Sequence, residues 1–87
     1  ELRRVAGISV AQWELELARC GRRCEICLQA EQDGVVRLVP DHDHVSGAVR
    51  GVLCERRNLA LGGFADSPER LSRAAQYVSQ PISVEAA

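Results

Sequence analysis

The stretch that decides the fold is Pro40-Asp41-His42-Asp43-His44-Val45-Ser46-Gly47-Ala48-Val49-Arg50-Gly51-Val52-Leu53-Cys54. Val35 to Pro40 before it reads as a short strand, Val45-Ser46-Gly47 as a turn, and Ala48 to Cys54 as a second strand, so the two make a hairpin. Asp41 to His44 lies between them, at the end of the first strand, and offers a ligand or acid–base group at every position. In an extended segment alternate side chains share a face, so His42 and His44 point one way and Asp41 and Asp43 the other. A bulge or bend at the strand end would bring Asp41 back toward His42.

Downstream, Glu55 to Leu61 reads as a helix stopped by Gly62-Gly63. It carries Asn58, the single Asn of the chain. A hairpin returning into a helix can set Asn58 beside Asp41. One carboxylate and one amide oxygen, completed by water and phosphate oxygens, suit Mg²⁺, which keeps several waters and needs few protein ligands. A neutral imidazole nearby can take a proton from water. Together these are the minimum apparatus for hydrolysing a phosphodiester. Two His and two Asp in a polar loop could equally be solvated, or bind a transition metal adventitiously.

Upstream, Ser9-Val10-Ala11-Gln12 reads as a capping box opening a helix over about 9–20, with Trp13, Leu17 and Cys20 at helical spacing and Gly21 as its stop. Cys24-x-x-Cys27 has the spacing of a structural zinc knuckle, and Cys54 arrives at the end of the hairpin. A tetrahedral site needs one more ligand. Three residues beyond Cys54, where it is expected, stands Arg57, and Cys20 is the available substitute. The residues leave open a Zn²⁺ site of Cys20, Cys24, Cys27 and Cys54, or buried thiols or a disulfide without zinc. The last helix spans about 67–79, with Ser67 as N-cap, Pro68 at its first position, and Leu71, Ala74, Ala75 and Val78 on one face. Residues after Pro81 read as a frayed tail.

Eighty-seven residues make a single α+β domain, 1–87 with a core at 20–64, in which the hairpin is packed with three or four helices. A core this small gives marginal stability unless a metal, disulfides or a partner adds to it. The aromatic residues are Trp13, Phe64 and Tyr77, so the core falls to Leu, Val, Ile and Ala. All 11 basic residues are Arg, which suits bidentate contact with phosphate, although a GC-rich coding genome gives the same bias. A net charge of −1 argues against a strongly basic nucleic-acid binder without excluding a local one. No apolar run approaches membrane-spanning length, and no secretory pattern opens the chain. It does not begin with Met, as a piece of a longer protein would not.

Cys24-Glu-Ile-Cys27, Pro40-Asp-His-Asp-His44, Ser46-Gly-Ala-Val-Arg-Gly-Val-Leu-Cys54 and Asn58-Leu-Ala-Leu-Gly62, in this order, resemble the recombination endonuclease VII family, a branch of the His-Me finger (HNH) nucleases. A weaker match reaches Asp66-Ser-Pro-Glu69, Leu71, Ala74 and Tyr77, and back to Gly7-Ile-Ser9. The resemblance implies a ββα-metal domain around one divalent cation. Asp41 and Asn58 would hold the ion, His42 would be the general base, and His44 would position the phosphate or assist the leaving group. Arg50 would contact DNA, with a salt bridge from Arg50 to Asp43 as the plainer alternative; Arg57, apart from the resemblance, is a second candidate for DNA contact. The resemblance also implies two Cys-x-x-Cys knuckles around zinc, from which Arg57 departs.

The leading expectation is therefore a Mg²⁺-dependent (or other divalent-cation-dependent) endonuclease acting on DNA phosphodiesters, with a structural Zn²⁺ through the cysteines. The name-giving relatives resolve branched DNA as intertwined dimers. This chain has little room for a dimerisation region, so nicking or cutting, by a monomer or homodimer, is the more direct expectation. It would work in the cytoplasm of a bacterial or phage-infected host cell. The alternative is a nuclease-fold module that binds DNA or a protein without cutting. A disulfide-stapled secreted domain is the third reading, which the knuckle spacing disfavours.

Overall fold

Two consecutive residues of positive φ, Ala6 (48°) and Gly7 (90°), turn the chain sharply near its start. Strands β1 (Arg4–Val5) and β2 (Ile8–Ser9) pair antiparallel across this turn, a hairpin outside the sequence expectations. The computed structural model describes residues 3–82. The tail expected beyond Pro81 thus lies, from position 83 onward, outside the described residues.

Helix α1 (Val10–Arg19) starts as expected: the Ser9 hydroxyl accepts from the Gln12 N–H at 3.1 Å. The box is half-made, because the Gln12 side chain bonds Glu16 instead of returning to Ser9. Trp13 and Leu17 are its buried residues, and Gly21 (φ 66°) and Arg22 (φ 55°) break it after Cys20.

The central hairpin is β3 (Leu38–His42) and β4 (Val49–Cys54). β3 begins later than expected and runs further, so Asp41 and His42 are strand residues and not part of the connection. The register runs from Leu38 opposite Cys54 to Asp41 opposite Gly51, then slips, so that His42 faces Val49. A bulge does fall at this strand end, but its extra residue is Arg50 on β4, across from the Asp41–His42 step that was expected to bend. A bulge bends its strand and re-aims side chains, which here puts Arg50 on the same side as its cross-strand neighbour Asp41.

Helix α2 (Glu55–Gly63) follows β4 directly and packs on both strands of the hairpin. Gly62 and Gly63 do not stop it; they form its last turn. The break falls at Ala65 (φ 53°) and Asp66 (φ 52°). Helix α3 (Pro68–Val78) is capped by Ser67 with Pro68 in its first turn, as expected. No residue of α3 is buried, and Val78 is 78% exposed. The architecture is α+β, with two small hairpins and three helices among the described residues. None of those helices is long and apolar enough to cross a membrane.

The core gathers Trp13, Leu17, Val36, Leu38, Val52 and Leu53 around Cys24 and Cys54. Cysteine therefore belongs in the core with the aliphatic residues. One ionic clamp ties its parts together. Glu25 takes the Val52 N–H at 2.6 Å and both Arg19 guanidinium nitrogens at 2.9 and 3.0 Å. Arg19, then the Val52 N–H, hold the Glu25 carboxyl below its ordinary range against the opposing effect of burial. Gly51 is bare for this reason: a Cβ there would lie 2.5 Å from Glu25 Oε2.

Gly51→Ala should therefore displace the Glu25 carboxylate and cost about 1–2 kcal/mol, the scale of a charge-assisted hydrogen bond discounted for partial exposure. Glu25→Ala should cost a similar amount, and the double variant should cost much less than the sum in urea unfolding. The folded-state pKa is lowered, so the clamp contributes fully above the ordinary Glu value of about 4.3 and is lost as pH falls through the folded value. Acid unfolding of Glu25→Gln should lack that component.

Candidate active site and cysteine cluster

Asp41 is buried (5% exposed), and both of its oxygens are taken by Arg50, Nε at 2.6 Å and Nη2 at 3.2 Å. The expected Arg50 pairing with Asp43 is corrected: the guanidinium clasps Asp41 and reaches Asp66 Oδ1 at 3.7 Å. Asp66 in turn lies 3.2 Å from His44 Nδ1 through Oδ2. The bulge and the α2–α3 break thus join Asp41, Arg50, Asp66 and His44 in one continuous polar chain. Asp41, then burial in opposition, then Asp66 and Asp43, set the Arg50 guanidinium, whose pKa is raised overall.

Asp43 stands apart from this chain. Its side chain accepts the Val45 N–H at 2.8 Å and its carbonyl accepts the Gly47 N–H at 2.7 Å. The Val45 and Ser46 N–H groups hold its carboxyl below the usual range. It closes the β3–β4 turn.

His42 is half-buried at the bulge, one residue beyond Asp41. Asn58, also half-buried, lines an open cleft of about 340 Å³ with Leu38, Val39 and Pro40, the last being the residue before Asp41. Neither His42 nor Asn58 makes a side-chain hydrogen bond among the described residues, so both keep their polar atoms available. Asp41 and Asn58 carry oxygen donors of the kind a hard divalent cation takes, with both Asp41 oxygens engaged by Arg50 in this structure.

Cys24, Cys27 and Cys54 form a second centre, with all three Sγ atoms within 4.8 Å of one another. Cys24 is fully buried, and the N–H groups of Ile26 and Cys27 point at its sulfur at 3.5 Å. Burial opposes ionisation of Cys24, but the N–H groups of Cys27, Cys54 and Ile26 outweigh it and bring the thiol down to about 7. Burial pushes the Cys54 thiol up; the Arg57 N–H works against this, while the Cys24 and Cys27 sulfurs add to it. Backbone donors aimed at sulfur suit thiolates, and three of them can hold a metal ion.

Cys20 is not brought into this group. Its thiol turns to the Leu17 carbonyl at 3.5 Å, at the C-terminal end of α1. Arg57 supplies its N–H to Cys54 from the first turn of α2, but at that position there is no fourth sulfur. All four cysteines are free thiols.

Asp66 and Glu25 were not legible as site residues. Asp66 reads as part of the opening of the last helix, and Glu25 as a knuckle spacer. Neither has a local sequence signal for its cross-element partner.

The family model for recombination endonuclease VII matches residues 1–80. The Gene 59 protein of Mycobacterium phage D29 is 44% identical over 66 residues, covering 75% of this chain and 39% of that protein. The Gene 59 protein of Mycobacterium phage L5 is 42% identical over 66 residues, covering 75% and 40%. The chain thus spans about two fifths of the length of these relatives. No solved structure matches it.

Zinc titration against a colorimetric chelator should separate the cysteines. Cys20→Ser should bind as the unaltered chain does, while Cys24→Ser should lose binding. Arg57→Cys completes a four-sulfur set and should tighten zinc by on the order of tenfold or more.

Proposed function

The chain belongs to the recombination endonuclease VII family, and from that premise we propose that it is a divalent-cation-dependent DNA endonuclease hydrolysing phosphodiester bonds. The observation that carries the reading is the buried Asp41 carboxylate beside His42 at a strand bulge, with the helix bearing Asn58 packed on that strand.

In this reading Asp41 and Asn58 hold Mg²⁺ or a similar ion. When bound, the ion stabilises charge on the phosphoryl oxygens and on the departing oxygen. His42 accepts a proton from the attacking water. The new P–O bond forms at phosphorus as the bond to the leaving deoxyribose oxygen breaks, and that oxygen takes up a proton from solvent water. His44, 74% exposed at its side chain, would meet the phosphate or that leaving oxygen. Arg50 and Arg57 would contact the DNA backbone. Cys24, Cys27 and Cys54 hold a structural Zn²⁺, which adds folding energy to a small core.

Both relatives are phage proteins, which supports a setting in the cytoplasm of a bacterial or phage-infected host cell. Branched DNA is a substrate to be tried beside plain duplex, and the working unit is a monomer or a homodimer. One observation favours the alternative of a DNA-binding module without cleavage: Arg50 occupies both oxygens of Asp41, the place a catalytic cation would need.

Incubation with supercoiled plasmid decides between them. Nicking should require Mg²⁺ and should fall by about 10²–10⁴-fold in His42→Ala. DNA binding without metal-dependent nicking would establish the module, and equal nicking by His42→Ala would remove His42 as the base.

A further inference from the structure

The α2–α3 connection is tightly held for a linker between two helices. Ala65 N–H bonds Gly62 O at 3.0 Å, Asp66 N–H bonds Leu61 O at 2.9 Å, and Ser67 N–H bonds Phe64 O at 3.0 Å. Two successive residues other than glycine sit there in left-handed backbone, at φ 53° and 52°. Such a conformation is costly for a residue with a Cβ, though Asp tolerates it better than most. What this backbone achieves is the direction of one side chain. The Asp66 carboxylate, 19% exposed, faces the central hairpin, where one oxygen lies 3.2 Å from His44 Nδ1 and the other 3.7 Å from Arg50 Nη2.

The geometry points to Asp66 as a positioning residue that orients His44 and fixes which of its ring nitrogens carries the proton. An ionised carboxylate can only accept, so its position 3.2 Å from Nδ1 favours the tautomer with the proton on Nδ1. The remaining nitrogen, Nε2, belongs to a ring that is 74% exposed, and it stays free to face a phosphate or a leaving oxygen. Without Asp66 the exposed ring would rotate freely and lose that preference. The same carboxylate offers Arg50 a second anchor beside Asp41. This role rests on the endonuclease reading for its consequence in catalysis, but not for the state of the ring.

The test uses Asp66→Gly, which removes the carboxylate yet suits the left-handed backbone, and Asp66→Asn, which keeps an acceptor oxygen. Long-range ¹H–¹⁵N spectra of the imidazoles, recorded without metal or DNA, should place the His44 proton on Nδ1 in the unaltered chain. In Asp66→Gly the proton should move toward Nε2, with partial return in Asp66→Asn. Plasmid nicking by Asp66→Gly should fall by about tenfold or more in turnover with little change in KM. Adding Asp66→Gly to His44→Ala should cost nothing further. An unchanged His44 tautomer in Asp66→Gly would overturn the role, as would an equal rate loss in the His44→Ala background. If the unaltered chain does not cut DNA, the endonuclease reading fails, while the tautomer still decides whether Asp66 holds His44.

Discussion

A carboxylate buried at position 41 needs a positive charge beside it, and the centre of this small protein is arranged around that need. Leaving an ionised carboxyl alone in such surroundings costs several kcal/mol. Arg50 supplies the partner at 2.6 and 3.2 Å. It can do so because β4 carries one residue more than β3 between the pairs Asp41–Gly51 and His42–Val49. In a regular ladder residue 50 would face His42 and occupy the other face from residue 51. The bulge breaks that alternation and brings a long cationic side chain alongside Asp41. The register slip falls between Asp41 and His42, so the pairing of the buried acid with Arg50 and the bend of the hairpin have one cause.

The cysteine cluster and the clamp at Glu25 secure the opposite flank of this hairpin. Glu25 lies inside the Cys24–Cys27 loop, yet its carboxylate bonds the backbone of Val52, next to the cross-strand partner of Asp41. The loop is thereby fastened to β4 by bonds that require no metal, with Arg19 of α1 as the third member. A chain with arginine in place of a fourth sulfur still has this route for holding its knuckle against the strand that faces the buried acid. The thiols themselves fill core volume: Cys24 and Cys54 pack with Leu17, Val52 and Leu53. Their burial lets a three-sulfur cluster persist in the fold without a further ligand.

Local patterns in the sequence were sufficient for much of this. Ser9 and Ser67 cap the helices assigned to them, the hairpin joins the segments around Val45-Ser46-Gly47, and Cys24, Cys27 and Cys54 come together as their spacing suggests. Most of these depend on residues close in sequence, and Cys54 joins Cys24 and Cys27 because it ends the hairpin strand β4. What was hidden depends on cross-element geometry. The pairing of Arg50 with Asp43, one of its two expected roles, gives way because the bulge turns the guanidinium to Asp41. Cys20 was offered as a ligand because it is near Cys24 in sequence, yet as the cap of α1 it faces Leu17. Gly62-Gly63 looked like a helix stop, but glycines end a helix through left-handed backbone, and here Ala65 and Asp66 adopt it instead.

That displacement of the break by a few residues has a structural consequence for the site. Were α2 to end at Gly62, the following residues would leave the hairpin earlier and Asp66 would belong to a loop with no fixed direction. Extending the helix through both glycines carries the chain back to the level of the β3–β4 turn before it reverses. The reversal falls on an acidic residue whose two oxygens meet His44 and Arg50, from the two sides of that turn. Helix α3, which buries no residue, contributes little packing to hold this arrangement. The direction of the Asp66 side chain is set instead by the backbone bonds of the break itself and by the charges it meets.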